Sequence, residues 1–314
     1  MNPTPKPQSP IKSNLHPRSK HRERYDFASL NASCASLKPF VQVNQFGDES
    51  IDFFDPMAVK TLNQALLKHF YGIEYWDIPA DFLTPPIPGR ADYVHYLADL
   101  ITKELPAKKN KIHCLDIGVG ANCIYPIIGV REYNWEFVGA EIEPKALEAA
   151  QKIVDSNEVL RGKIELRQQT NIKAIFNGII DPKDLFDVTI CNPPFHASRV
   201  DAEIGTKRKI KNLTSQKNNK PILNFGGQSN ELWCDGGEAS FIRQMILESV
   251  LFSNNCAWFS TLVSKKENLR GIVKSLQKLP ITKYQIVEMQ QGNKTSRFIA
   301  WSFLSEKELK NWGK

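Results

Sequence analysis

Leu115-Asp116-Ile117-Gly118-Val119-Gly120-Ala121-Asn122 is an apolar run that breaks at two glycines and leads into a helical stretch. Glycine is needed where a chain leaves a strand in a sharp turn and lets a ligand touch bare backbone. The loop therefore predicts the first βα turn of an open parallel sheet, and the surrounding chain has the matching rhythm. Candidate strands at 112–117, 136–141, 163–167 and 186–191 are separated by segments long enough for helices, the pattern of a doubly wound parallel sheet. Three more candidates lie at 256–263, 284–289 and 298–303, and the last two flank Gly292-Asn293, a hairpin turn signal.

Upstream the pattern differs. Asp55-Pro56 pairs an N-cap residue with proline at the first helical position, and Val59, Leu62, Leu66, Leu67 and Phe70 follow helical spacing to Gly72. Residues 77–89 are rich in proline and predict a loop, followed by a helix over 92–104. The expected organisation is a basic disordered tail at 1–24, a small, mostly helical N-terminal domain at 25–110, and an α/β domain at 111–314 carrying a basic loop at 196–235.

A glycine loop alone also fits a dinucleotide enzyme. Here the third glycine of G-x-G-x-x-G is replaced by Cys123, and Asp116 suits a cationic ligand better than a pyrophosphate. A sulfonium cofactor needs no phosphate cradle. Some twenty residues on, Val138-Gly139-Ala140-Glu141-Ile142-Glu143 places an acid at the end of the second strand, where a carboxylate can accept both ribose hydroxyls. Glu141 is the candidate as the first acid off the strand; the plainer reading makes it a solvated loop acid and Glu143 a helix cap before Pro144. Thr170, past the third strand, lies where such folds hold an adenine ring, or is an ordinary loop threonine. With Gly118 and Gly120 these residues predict a site for S-adenosylmethionine. Seven strands ending in a hairpin then make the expected fold an α/β class I S-adenosylmethionine-dependent methyltransferase.

Cys191-Asn192-Pro193-Pro194-Phe195 follows the fourth strand, at the carboxyl edge where open parallel sheets bind ligands. An exocyclic or amide NH2 is a poor nucleophile because its lone pair is delocalised. Two acceptors, the Asn192 side-chain oxygen and the Pro193 carbonyl, can take both N–H bonds and favour the pyramidal nitrogen needed for attack. Proline removes competing donors and stiffens the loop. Phe195 can stack on the planar group, worth ~1–3 kcal/mol for a base. The chemistry predicted is methylation of a planar amine with no metal. Adenine and glutamine both satisfy it.

The chain of 314 residues carries a net charge of +7, and the excess is concentrated. Residues 1–24 hold six basic side chains, including Arg18, Lys20, Arg22 and Arg24, against Glu23. A second cluster runs Arg199, Lys207, Arg208, Lys209, Lys211, Lys217 and Lys220. Two basic segments predict a polyanionic partner; solvated tails kept for solubility are the plainer reading. No apolar run approaches the ~18 residues that cross a bilayer, and no apolar signal core opens the chain. The six cysteines form no C-x-x-C pair and read as reduced thiols of a cytoplasmic protein. A monomer without membrane partners is expected.

Several of these motifs, with Ile124-Tyr125-Pro126 and Tyr25-Asp26-Phe27, resemble the methyltransferase-like 16 family. The likeness spans residues 16 to about 304 and is strongest at His16-Pro17-Arg18, Asn192 through His196, and Gly236-Gly237-Glu238. It implies N6-methylation of adenine in RNA, and for the bacterial branch adenine 1618 of 23S ribosomal RNA. By the same resemblance Arg90 binds the cofactor carboxylate, and Gly118, Glu141, Thr170 and Asn192 complete the pocket. Lys265 and Lys266 match a loop that can cover the pocket, and Arg297 matches an RNA contact. Eukaryotic members continue into a long C-terminal RNA-binding region, whereas this sequence stops at Lys314, which favours the bacterial branch.

Three rivals stay open on sequence. Protein glutamine methylation uses a very similar loop. A non-catalytic RNA-binding assembly factor would be expected to carry a damaged cofactor loop or a replaced Asn192. A nicotinamide oxidoreductase leaves Asn192-Pro193-Pro194-Phe195 without a role.

Overall fold

Asp55 accepts a hydrogen bond from Met57 N through its side chain, Pro56 opens the helix and Gly72 closes it at φ 65°; the helix boundaries read from the sequence are those of the computed structural model. The structure describes residues 14–106, 111–195, 234–291 and 294–313. Its N-terminal part runs α1 (Phe27–Ser33), the short antiparallel pair β1 (Val41–Val43) and β2 (Glu49–Ile51), α2 (Pro56–Tyr71) and α3 (Ile87–Glu104). Then follow β3 (His113–Ile117), α4 (Ile124–Tyr133), β4 (Glu136–Glu141), α5 (Pro144–Asp155), β5 (Ile164–Gln168) and β6 (Phe186–Cys191). The chain closes with α6 (Gly237–Ser249), β7 (Cys256–Val263), α7 (Leu269–Leu276), β8 (Lys283–Gln291), β9 (Lys294–Ser302) and α8 (Glu306–Asn311).

The seven-stranded sheet has the order β5-β4-β3-β6-β7-β9-β8. Its first five strands are parallel, and the β8–β9 hairpin adds antiparallel to β7. Six of the seven strands lie within a residue or two of the positions read from the sequence; β9 begins at Lys294, four residues before the expected 298, because the hairpin pairing with β8 continues up to its turn. Alternation along each strand sends residues to two cores. On one face Cys114, Val188, Phe298 and Ala300 pack with side chains of α2, α3, α4 and α5. On the other, Leu115, Phe259, Ile299 and Trp301 pack with α6 and α7. Residues of α2 and α3 therefore share one hydrophobic core with the sheet. Tyr93 of α3 reaches into it, bonding Ser260 Oγ at 2.8 Å and lying 5.0 Å from the Phe298 ring.

Two further expectations need correction. Helix α3 starts at Ile87 rather than 92, with Pro88 and Gly89 in its first turn. Proline fits there because the first turn's N–H groups have no helical partner, and the shift puts Arg90 on the helix rather than in a loop. The basic tail is also not free throughout: residues 14–24 pack onto the protein. His16 N donates to Asp92 Oδ1 at 3.2 Å, the His16 ring meets Asp99 at 3.0 Å and stacks 5.2 Å from His95. His21 is buried between the hydroxyls of Tyr71 and Tyr25. Histidine and hydroxyl pairs satisfy polar groups that composition alone makes look solvated. Residues 1–13 and most of the basic loop, 196–233 with Lys207, Arg208 and Lys209, lie outside the described residues.

Asp92, buried beneath this segment, has its pKa raised to about 7 by desolvation, opposed by hydrogen bonds from His16 N and Ser19. A carboxyl whose folded pKa exceeds its ordinary value of 3.8 takes up a proton on folding between the two values. Its contribution to stability thus declines as pH rises from about 4 to about 7 and is constant above. Thermal midpoints of Asp92→Asn and the unchanged protein should diverge over that window, in favour of the variant, and run parallel above it. A difference independent of pH would contradict the shift.

Candidate active site

Parallel pairing sets Ile117 opposite Cys191 and beside Ala140, so the segments after β3, β4 and β6 leave one edge of the sheet together. Gly118 (φ 77°) and Gly120 (φ 63°) hold the left-handed backbone that glycine tolerates. Gly118 N and Val119 N both donate to Ala140 O, at 2.9 and 3.0 Å. Cys123 also sits at positive φ, 51°, so the position of the missing third glycine keeps the backbone shape that glycine would have there.

Glu141 is buried at the end of β4. Gly120 N donates to its Oε2 at 2.9 Å; Ile142 N and Glu143 N donate to Oε1 at 2.8 and 3.0 Å. Burial pushes its pKa up and these three N–H donors pull it back. Three backbone donors fix the carboxylate in one orientation and leave one lone pair, on Oε2, for a ribose hydroxyl. Glu143 is the N-cap residue of α5 by position but makes no side-chain cap bond. Thr170 is exposed just past β5, while its neighbour Gln169 is buried and bonds Asn177 O at 3.0 Å.

Asp116 is fully buried and neither carboxylate oxygen has a hydrogen-bond partner. Burial pushes its pKa well above the usual range, the Glu141 carboxylate adds to this, and the Arg90 guanidinium opposes it. An unpaired buried carboxylate is costly, so the donor set here fits a cationic ligand: S-adenosylmethionine carries both an ammonium and a sulfonium. Glu141 with Gly118 and Gly120 would hold its nucleoside end and Asp116 its charged end.

Arg90 comes from α3 and meets Asn192 across 102 residues, with Nη1 donating to Asn192 Oδ1 at 3.0 Å and to Tyr125 Oη at 3.0 Å. Its guanidinium also lies 5.6 Å from the Tyr125 ring centre. Asn192 is half-buried, Pro193 buried, and Pro194 and Phe195 half-buried. The structure thus gathers Arg90, Asp116, Gly118, Gly120, Glu141 and Asn192 at one edge. Tyr125 had been read only as part of a family motif; a hydroxyl-bearing ring in the first turn after a glycine loop is a signal that could have singled it out.

The expected RNA contacts divide. Lys265 and Lys266 are exposed on the segment after β7. That segment is anchored by buried Glu238, which accepts from Ser264 N at 2.5 Å, Lys265 N at 3.3 Å and Asn268 Nδ2 at 2.6 Å. Arg297 pairs with Val263 in the sheet and is 5% exposed, with no hydrogen-bond partner for Nε or Nη1. Arg18 is committed to Asp99 at 2.5 Å, Tyr133 Oη at 2.9 Å and His95 O at 3.0 Å. Lys20 bonds Glu132 at 2.7 Å and Phe70 O at 3.0 Å, and Arg24 pairs with Asp48. Arg22 is half-buried, and its Nε has no partner.

A seven-stranded sheet of this order, with a glycine loop after its first parallel strand and a closing antiparallel hairpin, is the class I S-adenosylmethionine-dependent methyltransferase architecture. The chain belongs to the RNA methyltransferase family, which it matches over residues 9–305. It is 53% identical over 311 residues to ribosomal RNA large subunit methyltransferase F of Cytophaga hutchinsonii, covering 98% of this chain and 97% of that protein. It is 54% identical over 302 residues to the protein of the same name from Pectobacterium atrosepticum, covering 96% of each. Among solved structures, the hMettl16 catalytic domain in complex with MAT2A 3′UTR hairpin 1 superposes with a TM-score of 0.77 at 28% identity, over 93% of this chain and 96% of that one. The N-terminal domain of human METTL16 in complex with SAH gives a TM-score of 0.74 at 28% identity, over 93% and 99%.

Replacing Asp116 with Asn removes the charge but keeps the shape. Loss of one charge-assisted contact predicts S-adenosylmethionine binding weaker by about 10- to 100-fold, with an unliganded thermal midpoint no lower than before. Calorimetric titration and thermal scans read both, and a loss below about 3-fold would exclude Asp116 as the cation partner.

Proposed function

We propose that the protein is a monomeric, cytoplasmic enzyme that methylates N6 of an adenine in large-subunit ribosomal RNA, of the adenine-1618 type. The observation that carries the reading is Asn192-Pro193-Pro194-Phe195 at the carboxyl end of β6, beside the glycine loop, in a chain of an RNA methyltransferase family. The relatives named for large-subunit ribosomal RNA support the choice of RNA over protein glutamine. An intact glycine loop and Asn192 support catalysis over a purely structural role. Among the described residues no helix is long and apolar enough to cross a membrane.

S-adenosylmethionine, when bound, supplies an electrophilic methyl group. Asn192 Oδ1 and the Pro193 carbonyl accept the two amine N–H bonds, which turns the nitrogen lone pair out of conjugation. Phe195 stacks on the base. Arg90 holds the cofactor carboxylate, which makes the N-terminal helices part of the cofactor site. Most of the rate enhancement comes from holding nitrogen and methyl in line, for which ~7–11 kcal/mol is available in principle.

Lys265 and Lys266 are exposed beyond the end of β7 and are assigned to RNA phosphates; Arg297, expected as a third contact, is buried beside Val263 and is not. Of the six cations at 1–24, Arg18, Lys20 and Arg24 are balanced within the protein, leaving Lys6, Lys12 and Arg22 for the polyanion. At a slope of ~0.7 per single-strand contact, these three contribute roughly a 20-fold loss of affinity between 50 and 200 mM salt, beyond the share of Lys265 and Lys266. A truncation lacking residues 1–13 should flatten the salt dependence, measured by RNA binding at several ionic strengths; an unchanged slope would exclude that segment from the interface.

Transfer of a labelled methyl group to RNA and protein fractions, followed by nucleoside and amino-acid analysis, decides the substrate. Label is expected in N6-methyladenosine; label in glutamine overturns the reading. Asn192→Ala should retain cofactor binding within about 10-fold while turnover falls at least about 100-fold.

A further inference from the structure

The bond between Arg90 and Asn192 bears on how the acceptor for the amine is set. An asparagine amide presents an oxygen at one end and an NH2 at the other, and rotation about its last torsion exchanges them. A guanidinium has donors alone. With the NH2 toward Arg90, donor would face donor; with the oxygen toward it, the 3.0 Å bond from Nη1 forms. Arg90 therefore selects the amide state in which an acceptor stands at this corner of the site. The carbonyl oxygen has two lone pairs, and Arg90 takes one, leaving the second for an amine N–H.

The rest of the guanidinium is arranged to match. Both Nη1 protons are used, by Asn192 and by Tyr125. Tyr125 is itself buried and lies edge-on to Tyr93 at 5.7 Å, so the anchor is held by the core beneath α3. The Nε–Nη2 edge has no hydrogen-bond partner among the described residues. That edge makes the two-point fork with a carboxylate. One side chain can therefore hold the cofactor carboxylate and the Asn192 amide together, through different nitrogens.

We infer that Arg90 is a positioning residue for methyl transfer as well as a cofactor ligand: it orients the Asn192 amide so that its oxygen faces the incoming amine. The inference rests on the reading of Asn192 as amine acceptor. A residue that only binds cofactor affects KM for S-adenosylmethionine and leaves kcat at saturation unchanged, whereas a positioning residue lowers kcat itself.

The experiment is steady-state methylation of the RNA fraction that accepts label, across a full cofactor titration, for Arg90→Lys, Asn192→Asp, the double variant and Asn192→Ala. Lysine keeps the positive charge but cannot fork a carboxylate and hold the amide from one rigid plane. Arg90→Lys is expected to lower saturated kcat at least about 10-fold, the scale of a misplaced reacting group. A carboxylate at 192 has acceptors at both ends and no wrong orientation to exclude, so in the Asn192→Asp background the same change should cost kcat less than about 3-fold. If Asn192→Asp is inactive by itself, the saturated kcat of Arg90→Lys decides alone. An unchanged saturated kcat overturns the inference, as does an equal loss in both backgrounds. Full turnover by Asn192→Ala would instead remove the acceptor reading on which it rests, so the two failures are distinguishable.

Discussion

Parallel pairing of β3 with β4 and β6 puts Ile117, Ala140 and Cys191 level with one another, and the functional site follows from that register. Strands that run the same way release their chains at the same edge, so loops from distant parts of the sequence meet there without a device of their own. A slip of one residue in β6 would turn its side chains to the opposite face and carry Asn192 away from the glycine loop. Both faces of the sheet are buried, by separate hydrophobic clusters, and this holds the register against such a slip. The stability of the core and the geometry of the site are the same problem.

Within that frame the charges are arranged around a cost. Asp116 is buried without a partner, near a second buried carboxylate, and the nearest opposing charge comes from Arg90. A site tuned only for stability would place a donor against Asp116 or remove its charge. The protein instead keeps a carboxylate that a cationic ligand can neutralise. Tyr125 and Tyr93 hold Arg90 close by, so the electrostatics of the edge depend on the packing of α3 under the sheet.

The excess positive charge has two roles. Arg18, Lys20 and Arg24 fasten the N-terminal segment to α3, α4 and the turn after β1, through Asp99, Glu132 and Asp48. Exposed ion pairs of this kind contribute little each; buried His16 and His21, with their hydroxyl and carboxylate partners, do more to seat the segment. Lys265 and Lys266 instead stay exposed after β7, and Glu238 holds them in place by gripping the backbone at Ser264 and Lys265.

The sequence by itself determined the strands, their alternation, the hairpin at the end and the chemical types at the edge, because these rest on local periodicity and on residues with few other uses. Asn192-Pro193-Pro194-Phe195 and the Gly118–Gly120 loop were legible for that reason. The start of α3 was misplaced because proline and glycine read as breakers, although the first helical turn accepts both. The seating of residues 14–24 was not legible, since most of its partners are distant in sequence, up to 115 residues away, and a basic, proline-rich composition favours disorder. Only tertiary structure decided that Arg90 touches Asn192, that Asp116 is left without a partner, and that Arg297 is buried. Each depends on which surfaces are brought together across the sheet, and contact between distant segments leaves no periodic trace in the chain.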